Sequence, residues 1–424
     1  MSKNFILKNI FVKDSSIPCN VVVSDGIITK IGNNIDNIVS ENFEIYDCKG
    51  LNLLSGLFDM HVHFRDPGFT HKEDIITGAK SALAGGVTGV LCMPNTNPPV
   101  DSPEVLRYIY DKAKDTGLDL YQVACITKGM NGGALCDYEA LKDAGAVALS
   151  DDGRPVENAE QMRKALELTN ENGLLITSHC EDLAIINGGI MNKGIISEKL
   201  GVKGMDRVSE DMITAREIIL AESVGARIHI AHVSTAGSVE IIRQAKKKGI
   251  KVTCETCPHY FMLTDEKLLA KDADFRMNPP LRTKDDVNAV IEGIIDGTID
   301  CIVTDHAPHT IEEKKIFEKA PNGVVGLETS LAGALTALYH TGKVSLEKIM
   351  DMMSVTPRKL LGLEIHDIKE GEKADFIVVD LNREWTVKPE DLHSKSCNTV
   401  FKGMTLKGKN LMTVSQGAIR YNIL

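Results

Sequence analysis

The side chains best suited to chemistry in this chain are histidines and aspartates at the ends of apolar runs. His61 and His63 stand two residues apart in Gly56-Leu57-Phe58-Asp59-Met60-His61-Val62-His63-Phe64-Arg65-Asp66. Side chains alternate along a strand, so Asp59, His61 and His63 share a face and the two imidazoles can meet one metal ion. Imidazole suits zinc and similar borderline metals. Arg65 follows at the strand end, placed to hold a carboxylate in a bidentate fork. Two unrelated strand histidines would give the same pair, so partners must come from elsewhere. Asp151-Asp152-Gly153, His179-Cys180-Glu181-Asp182, His232-Val233-Ser234 and Asp305-His306-Ala307-Pro308-His309 each close a further apolar run. One such ending has a bland reading, a solvated turn or a capped structural residue. Together they offer four histidines (His61, His63, His179, His232), Asp305, and a carboxylate from the Asp151-Asp152 pair that is free to bridge two metals. These patterns alone do not choose between Asp151 and Asp152.

The positioning elements follow from the runs themselves. Eight strand-like segments cover Leu57 to His61, Val87 to Met93, Leu118 to Ile126, Ala146 to Ser150, Leu174 to Ser178, Arg227 to His232, Lys251 to Cys254 and Cys301 to Thr304. Helical stretches such as Asn158 to Asn170 and Met212 to Val224 lie between them. Strand–helix alternation implies parallel pairing through right-handed crossovers. Eight repeats over roughly 310 residues predict an α/β chain with a TIM-like (β/α)8 barrel, whose active site sits at the C-terminal strand ends. An open dinucleotide-binding sheet is disfavoured, since no glycine-rich turn follows the first strand. Both chain ends read as strands and turns, and are expected to pack as one small β-sandwich. The predicted organisation is 1–55 and 368–424 for that domain and 56–367 for the barrel.

The 424 residues carry 43% hydrophobic and 25% charged residues, ordinary for a globular protein with a sizeable core. A net charge of -11 argues against a nucleic-acid binder. No membrane span or signal peptide is readable. The ten scattered cysteines then read as reduced thiols in the cytoplasm. Cys254-x-x-Cys257 has no second pair and is not read as a metal site. His229, three before His232, has opposite strand parity and is expected to face the helices. His259 and His306 stay outside the metal set.

His61-x-His63, the strand-end His179 and His232, and Asp305 resemble the metal-dependent amidohydrolase superfamily. The likeness narrows with Asp59 to Gly68, Met93-Pro94-Asn95-Thr96, Ser150-Asp151-Asp152-Gly153, Cys254-Glu255, Asn278-Pro279-Pro280-Leu281-Arg282 and Thr304 to His309. Together these segments resemble the class I dihydroorotases. The resemblance implies a barrel with a metal pair, expected to be two zinc ions per chain. It also implies reversible conversion between L-dihydroorotate and N-carbamoyl-L-aspartate in pyrimidine synthesis. By the same resemblance His61, His63 and Asp305 hold one metal, His179 and His232 the other, and Asp152 is the bridge. His63, Arg65, Asn95, Asn278, His309 and the Asn322-Gly323 dipeptide match substrate contacts. An aromatic residue is usual in the family where Asn322 stands, so contact there is expected through backbone. A homodimer and an association with aspartate transcarbamoylase are the protein partners considered.

That chemistry needs these residue types. Metal coordination lowers the pKa of water from about 15.7 to around 7. Asp305 is expected to take the nucleophile's proton and pass it to the leaving nitrogen. Arg65, Asn95 and Asn278 would orient the ring through its carboxylate and polar edges. Two rival functions remain. Hydantoinases and allantoinases usually bridge their metals with a carboxylated lysine on the fourth strand, but Gly145 to Gly153 contains no lysine. An inactive scaffold homologue would be expected to lack ligands, and all six are present.

Overall fold

The computed structural model describes residues 4–13, 15–35 and 42–424. Its centre is an eight-stranded parallel sheet in sequential order: Leu57–Val62, Val87–Cys92, Asp119–Ala124, Ala146–Leu149, Leu175–Ser178, Ile228–Ile230, Val252–Thr256 and Cys301–Ile302. The first two strands are buried along their whole length, as strands covered on both faces must be. Phe58, Leu91, Val123, Ala148, Leu175 and Cys301, from six different strands, meet in one buried cluster. A second buried cluster joins the strands to the surrounding helices. The result is a filled (β/α)8 barrel rather than a pore.

The crossover helices start and stop on local signals. In Ala159–Asn172 the Asn158 side chain accepts from the N–H groups of Glu160 and Gln161, and Gly173 ends the helix at a φ of 70°. Met162, Ala165, Leu166 and Thr169 form its buried face, spaced as a helix requires.

The ring closes at the active end. The Asp59 carboxylate accepts the Thr304 N–H at 3.1 Å, and His63 N–H donates to His306 O at 2.8 Å. The eighth strand is therefore shorter than expected, ending at Ile302. Asp59 does not join the imidazoles, because its oxygens serve this backbone closure.

The terminal segments build a separate eight-stranded sheet, ordered Ala418–Asn422, Thr405–Ser415, Phe376–Thr386, Asn52–Ser55, Phe5–Val12, Cys19–Ser24 and Ile27–Gly32, with Glu44–Asp47 beside Phe5–Val12. A register shift between Leu7 and Ile10 divides Phe5–Val12. Its first half pairs with Cys19–Ser24 and Glu44–Asp47, and its end pairs with Asn52–Ser55. Phe5 meets Phe376 edge-on at 6.3 Å, within a core drawn from both chain ends. Both chain ends thus build one separate sheet, as expected, though its strands are joined in a single hydrogen-bonded path where the sequence predicted a sandwich.

Candidate metal centre

Six side chains converge at the C-terminal ends of the barrel strands, and all are nearly inaccessible to solvent. Asp152 lies at the middle. Its Oδ1 is 3.5 Å from His61 Nε2, 3.7 Å from His179 Nδ1 and 3.6 Å from His232 Nε2. Its Oδ2 is 3.4 Å from His63 Nε2. Asp305 Oδ1 lies 3.1 Å from His63 Nε2 and 3.7 Å from His61 Nε2. One carboxylate thus faces all four histidines, and a second faces only the His-x-His pair.

Two of these residues sit in strained backbone. His232 has a φ of 33° and Asp305 a φ of 47°, conformations that non-glycine residues rarely adopt. Each lies beyond the end of its strand, so alternation no longer decides where the side chain points. That corrects the expectation for His229. It does not face the helices: its Nε2 lies 3.3 Å from Glu255 Oε2, and the opposite oxygen of that carboxylate lies 2.5 Å from His61 Nδ1.

Asp151 and Asp152 have opposite duties. Asp151 accepts the N–H groups of Ile126 and Thr127 at 2.8 and 3.1 Å, besides the Thr127 hydroxyl. Burial, opposed by those bonds, pushes its carboxyl up to about 6. Burial also acts on Asp152, but His61, His232 and His63 outweigh it and hold the carboxyl well below the usual range. Asp305 is likewise lowered against burial, chiefly by His63 and His61.

The donor set fits a cation. Asp152 Oδ1 and His61 Nε2 are buried without a hydrogen-bond partner, although unpaired polar atoms in a protein interior are costly. The imidazoles are braced from behind. Glu255 holds His61 Nδ1, Asn95 Oδ1 lies 2.8 Å from His63 Nδ1, and Glu181 Oε2 lies 3.2 Å from His179 Nε2. Such partners fix ring orientation and tautomer in metal sites. Sequence alone assigns Glu181 and Glu255 no functional role. Their only signal was position at strand ends, beside or below a candidate ligand.

A cavity of about 260 Å³ opens over the cluster, lined by Arg65, Asn95, Asn278, His309, Asn322 and Gly323 as well as by the ligand candidates His63 and Asp305. Every residue matched to substrate contact therefore reaches one space. Arg65 Nη2 lies 3.4 Å from His309 Nε2, and Asn278 Nδ2 donates to Glu181 Oε1 at 2.8 Å. The Asn322-Gly323 backbone is already engaged: Asn322 O lies 2.9 Å from His309 Nε2, and Gly323 N–H donates to Arg276 O at 3.0 Å. A larger cleft of about 460 Å³ between the terminal sheet and residues 345–355 lies away from this chemistry. Cys254 and Cys257 are buried free thiols, and Cys254 Sγ donates to Thr298 O, which supports neither a redox nor a metal role.

A barrel with histidines and aspartates gathered at its strand ends defines the metal-dependent amidohydrolases. The solved structures similar to this fold include L-hydantoinase from Arthrobacter aurescens, with 24% identity, a TM-score of 0.86 and coverage of 99% of this chain and 97% of that one. Dihydropyrimidinase from Brevibacillus agri follows at 23% identity and a TM-score of 0.85, covering 99% and 95%. At that identity the likeness establishes the fold alone. Residues 50–238 match the family model described as dihydro-orotase-like. The dihydroorotase of Citrifermentans bemidjiense is 48% identical over 95% of both chains, and that of Acetivibrio thermocellus 48% over 94% of both. The chain belongs to the dihydroorotase family, and it is a cyclic amidohydrolase with dihydroorotase activity.

Proposed function

We propose that this cavity interconverts L-dihydroorotate and N-carbamoyl-L-aspartate over two zinc ions, in de novo pyrimidine synthesis. The carrying observation is the contact of Asp152 with all four histidines, with Asp305 beside two of them. In this reading His61, His63 and Asp305 would hold one ion and His179 and His232 the other, with the Asp152 carboxylate available to both. Bound metal supplies the Lewis acidity that activates water and polarises the ring carbonyl.

The chain's own groups supply the rest. Asp305 is held ionised, so it is free to accept the proton of the attacking water and return it to the ring nitrogen as the amide opens. In the reverse direction it takes the proton from the carbamoyl nitrogen as the ring closes. Arg65 and His309 meet the substrate carboxylate, with Asn95 and Asn278 at the polar edges of the ring. Burial, together with the Arg65 and Lys72 charges, pushes the His309 imidazole well below its usual range. His309 therefore meets substrate as a neutral ring, and the guanidinium supplies the charge. Asn322 and Gly323 close the far wall through backbone.

The same reading assigns 56–367 to the barrel, and 1–55 with 368–424 to the β-domain, supported by the strand membership of the two sheets. The partner it requires is the small anionic substrate. A cytoplasmic location, a homodimer and an association with aspartate transcarbamoylase belong to the proposal. Among the described residues no helix is long and apolar enough to cross a membrane. Comparing dihydroorotate with dihydrouracil tests the substrate: strong preference for dihydroorotate is expected, and comparable turnover would defeat the assignment.

A further inference from the structure

Two buried cations lie just behind the substrate wall without touching the cavity. Lys314, in the loop after the eighth strand, is 7% exposed. Its ammonium donates to Ala273 O at 3.1 Å, Arg276 O at 3.0 Å and Pro321 O at 2.9 Å. An ammonium has three N–H donors, so all are used. Ala273 and Arg276 belong to the loop that carries Asn278, whereas Pro321 immediately precedes Asn322-Gly323. Arg276 reciprocates from the first loop. Its Nη1 donates to Phe317 O at 2.6 Å, its Nη2 to Asn322 Oδ1 at 3.2 Å, and its carbonyl receives Gly323 N–H. Each loop therefore offers a cation to the other.

The arrangement is costly as mere scaffolding. Among the described residues neither Lys314 nor Arg276 has a carboxylate within ion-pair distance. The acids that approach are engaged elsewhere: Asp272 and Asp274 pair with Lys402 at 2.6 Å each, and Glu313 with Lys72 at 2.8 Å. A buried charge held by carbonyls alone stabilises poorly compared with apolar packing, but it fixes geometry. The geometry at stake is narrow. Gly323 has a φ of 140°, and a Cβ there would lie 2.5 Å from Ala307 O, so this backbone is pressed against the exit of the eighth strand.

We propose that Lys314 and Arg276 form a reciprocal clasp that positions Asn278 and Asn322-Gly323 in the lining of the cavity and thereby sets substrate affinity. This rests on the dihydroorotate reading above. It also explains why asparagine serves at 322, since its Oδ1 engages Arg276. Both cations are positioning residues. Burial pushes the Lys314 ammonium down to about 7, with Arg276 adding to the effect and Asp274, Asp272 and Glu313 opposing it. Lys402 also faces this cluster, through Asp272 and Asp274. As pH rises through that value the amine keeps only two donors and the clasp loosens.

The test is steady-state kinetics of the metal-loaded full chain on dihydroorotate, with metal content measured in each variant. Lys314→Met is expected to raise KM about tenfold, with kcat within about twofold and metal unchanged, because uniform binding is lost without touching the chemistry. Wild-type KM should climb between about pH 7 and 9, and the variant should lose that climb. Arg276→Lys keeps the charge but loses the fork to Phe317 O and Asn322 Oδ1, and it leaves Lys314 in place, so it reports even if Lys314→Met fails to fold; KM should rise about threefold. Wild-type KM in both variants, or KM and kcat changing together with loss of metal, overturns the clasp. Failure of the wild-type chain to turn over dihydroorotate would instead overturn the functional reading.

Discussion

The metal cluster and the substrate wall share one cavity but are built differently. The cluster stands on strand ends whose backbone is locked by barrel closure, and its ligands are buried and braced by Glu255, Asn95 and Glu181. The wall stands on loops, and its residues hold one another through Arg276 and Lys314. The difference teaches that chemistry and recognition can fail separately. Damage to the cluster should abolish turnover by removing metal or the proton carrier. Damage to the wall should weaken binding and blur specificity while the metals stay.

The largest expected effect lies in the cluster. In the proposed roles Asp305→Asn would remove a ligand and the proton acceptor together, and should lower kcat by roughly 10²- to 10⁴-fold, the usual scale of general acid–base catalysis. A stopped assay at saturating dihydroorotate measures it, and near-normal kcat would reassign the proton step. Asp152→Ala should lose most of its metal by elemental analysis, whereas Asp151→Ala should retain it, because Asp151 is committed to Ile126 and Thr127. The reverse pattern would exchange the two roles. Activity and mass should also be indifferent to bicarbonate, as suits a bridge without a carboxylated lysine.

On the wall, Arg65→Met should cost about 2–4 kcal/mol in kcat/KM for dihydroorotate, the scale of losing one partner of a desolvated charge pair. Metal content should be unchanged. If metal falls with activity, the separation between the two regions breaks down. The smallest effect falls between them: Glu181→Gln keeps a side chain of the same size near His179 and Asn278 but replaces the carboxylate with a neutral amide. Metal affinity should drop roughly 10- to 100-fold, as for other supporting groups of this kind. A competition titration with a chromophoric chelator measures it, and unchanged affinity would reduce Glu181 to a spacer.

The same division explains what could be read in the sequence. Barrel strands are short apolar runs alternating with helical stretches, and the expected helices agree with Ala159–Asn172 and Val208–Val224 to within a few residues. Candidate ligands at strand ends follow from that register, and it marks His61, His63, His179, His232 and Asp305 together. Periodicity fails once the backbone leaves the strand. At His232 a positive φ overrides alternation, so His229 was turned the wrong way. Neighbours such as Asp151 and Asp152 are separated only by the partners each finds in space. The wall residues were named through resemblance, because no local pattern marks Asn278 or Asn322 as facing a cavity. Lys314 and Arg276 gave no sign at all: a lysine among surface charges reads as solvated, and only packing buries it.

The most direct measurement of the central claim is a spectrophotometric dihydroorotate assay with elemental analysis on the same sample, before and after chelation and with zinc restored. Turnover that vanishes with the metal, and returns as about two zinc ions per chain are restored, is the predicted result. Full activity in a metal-free sample, or two bound ions without turnover of dihydroorotate, would contradict it.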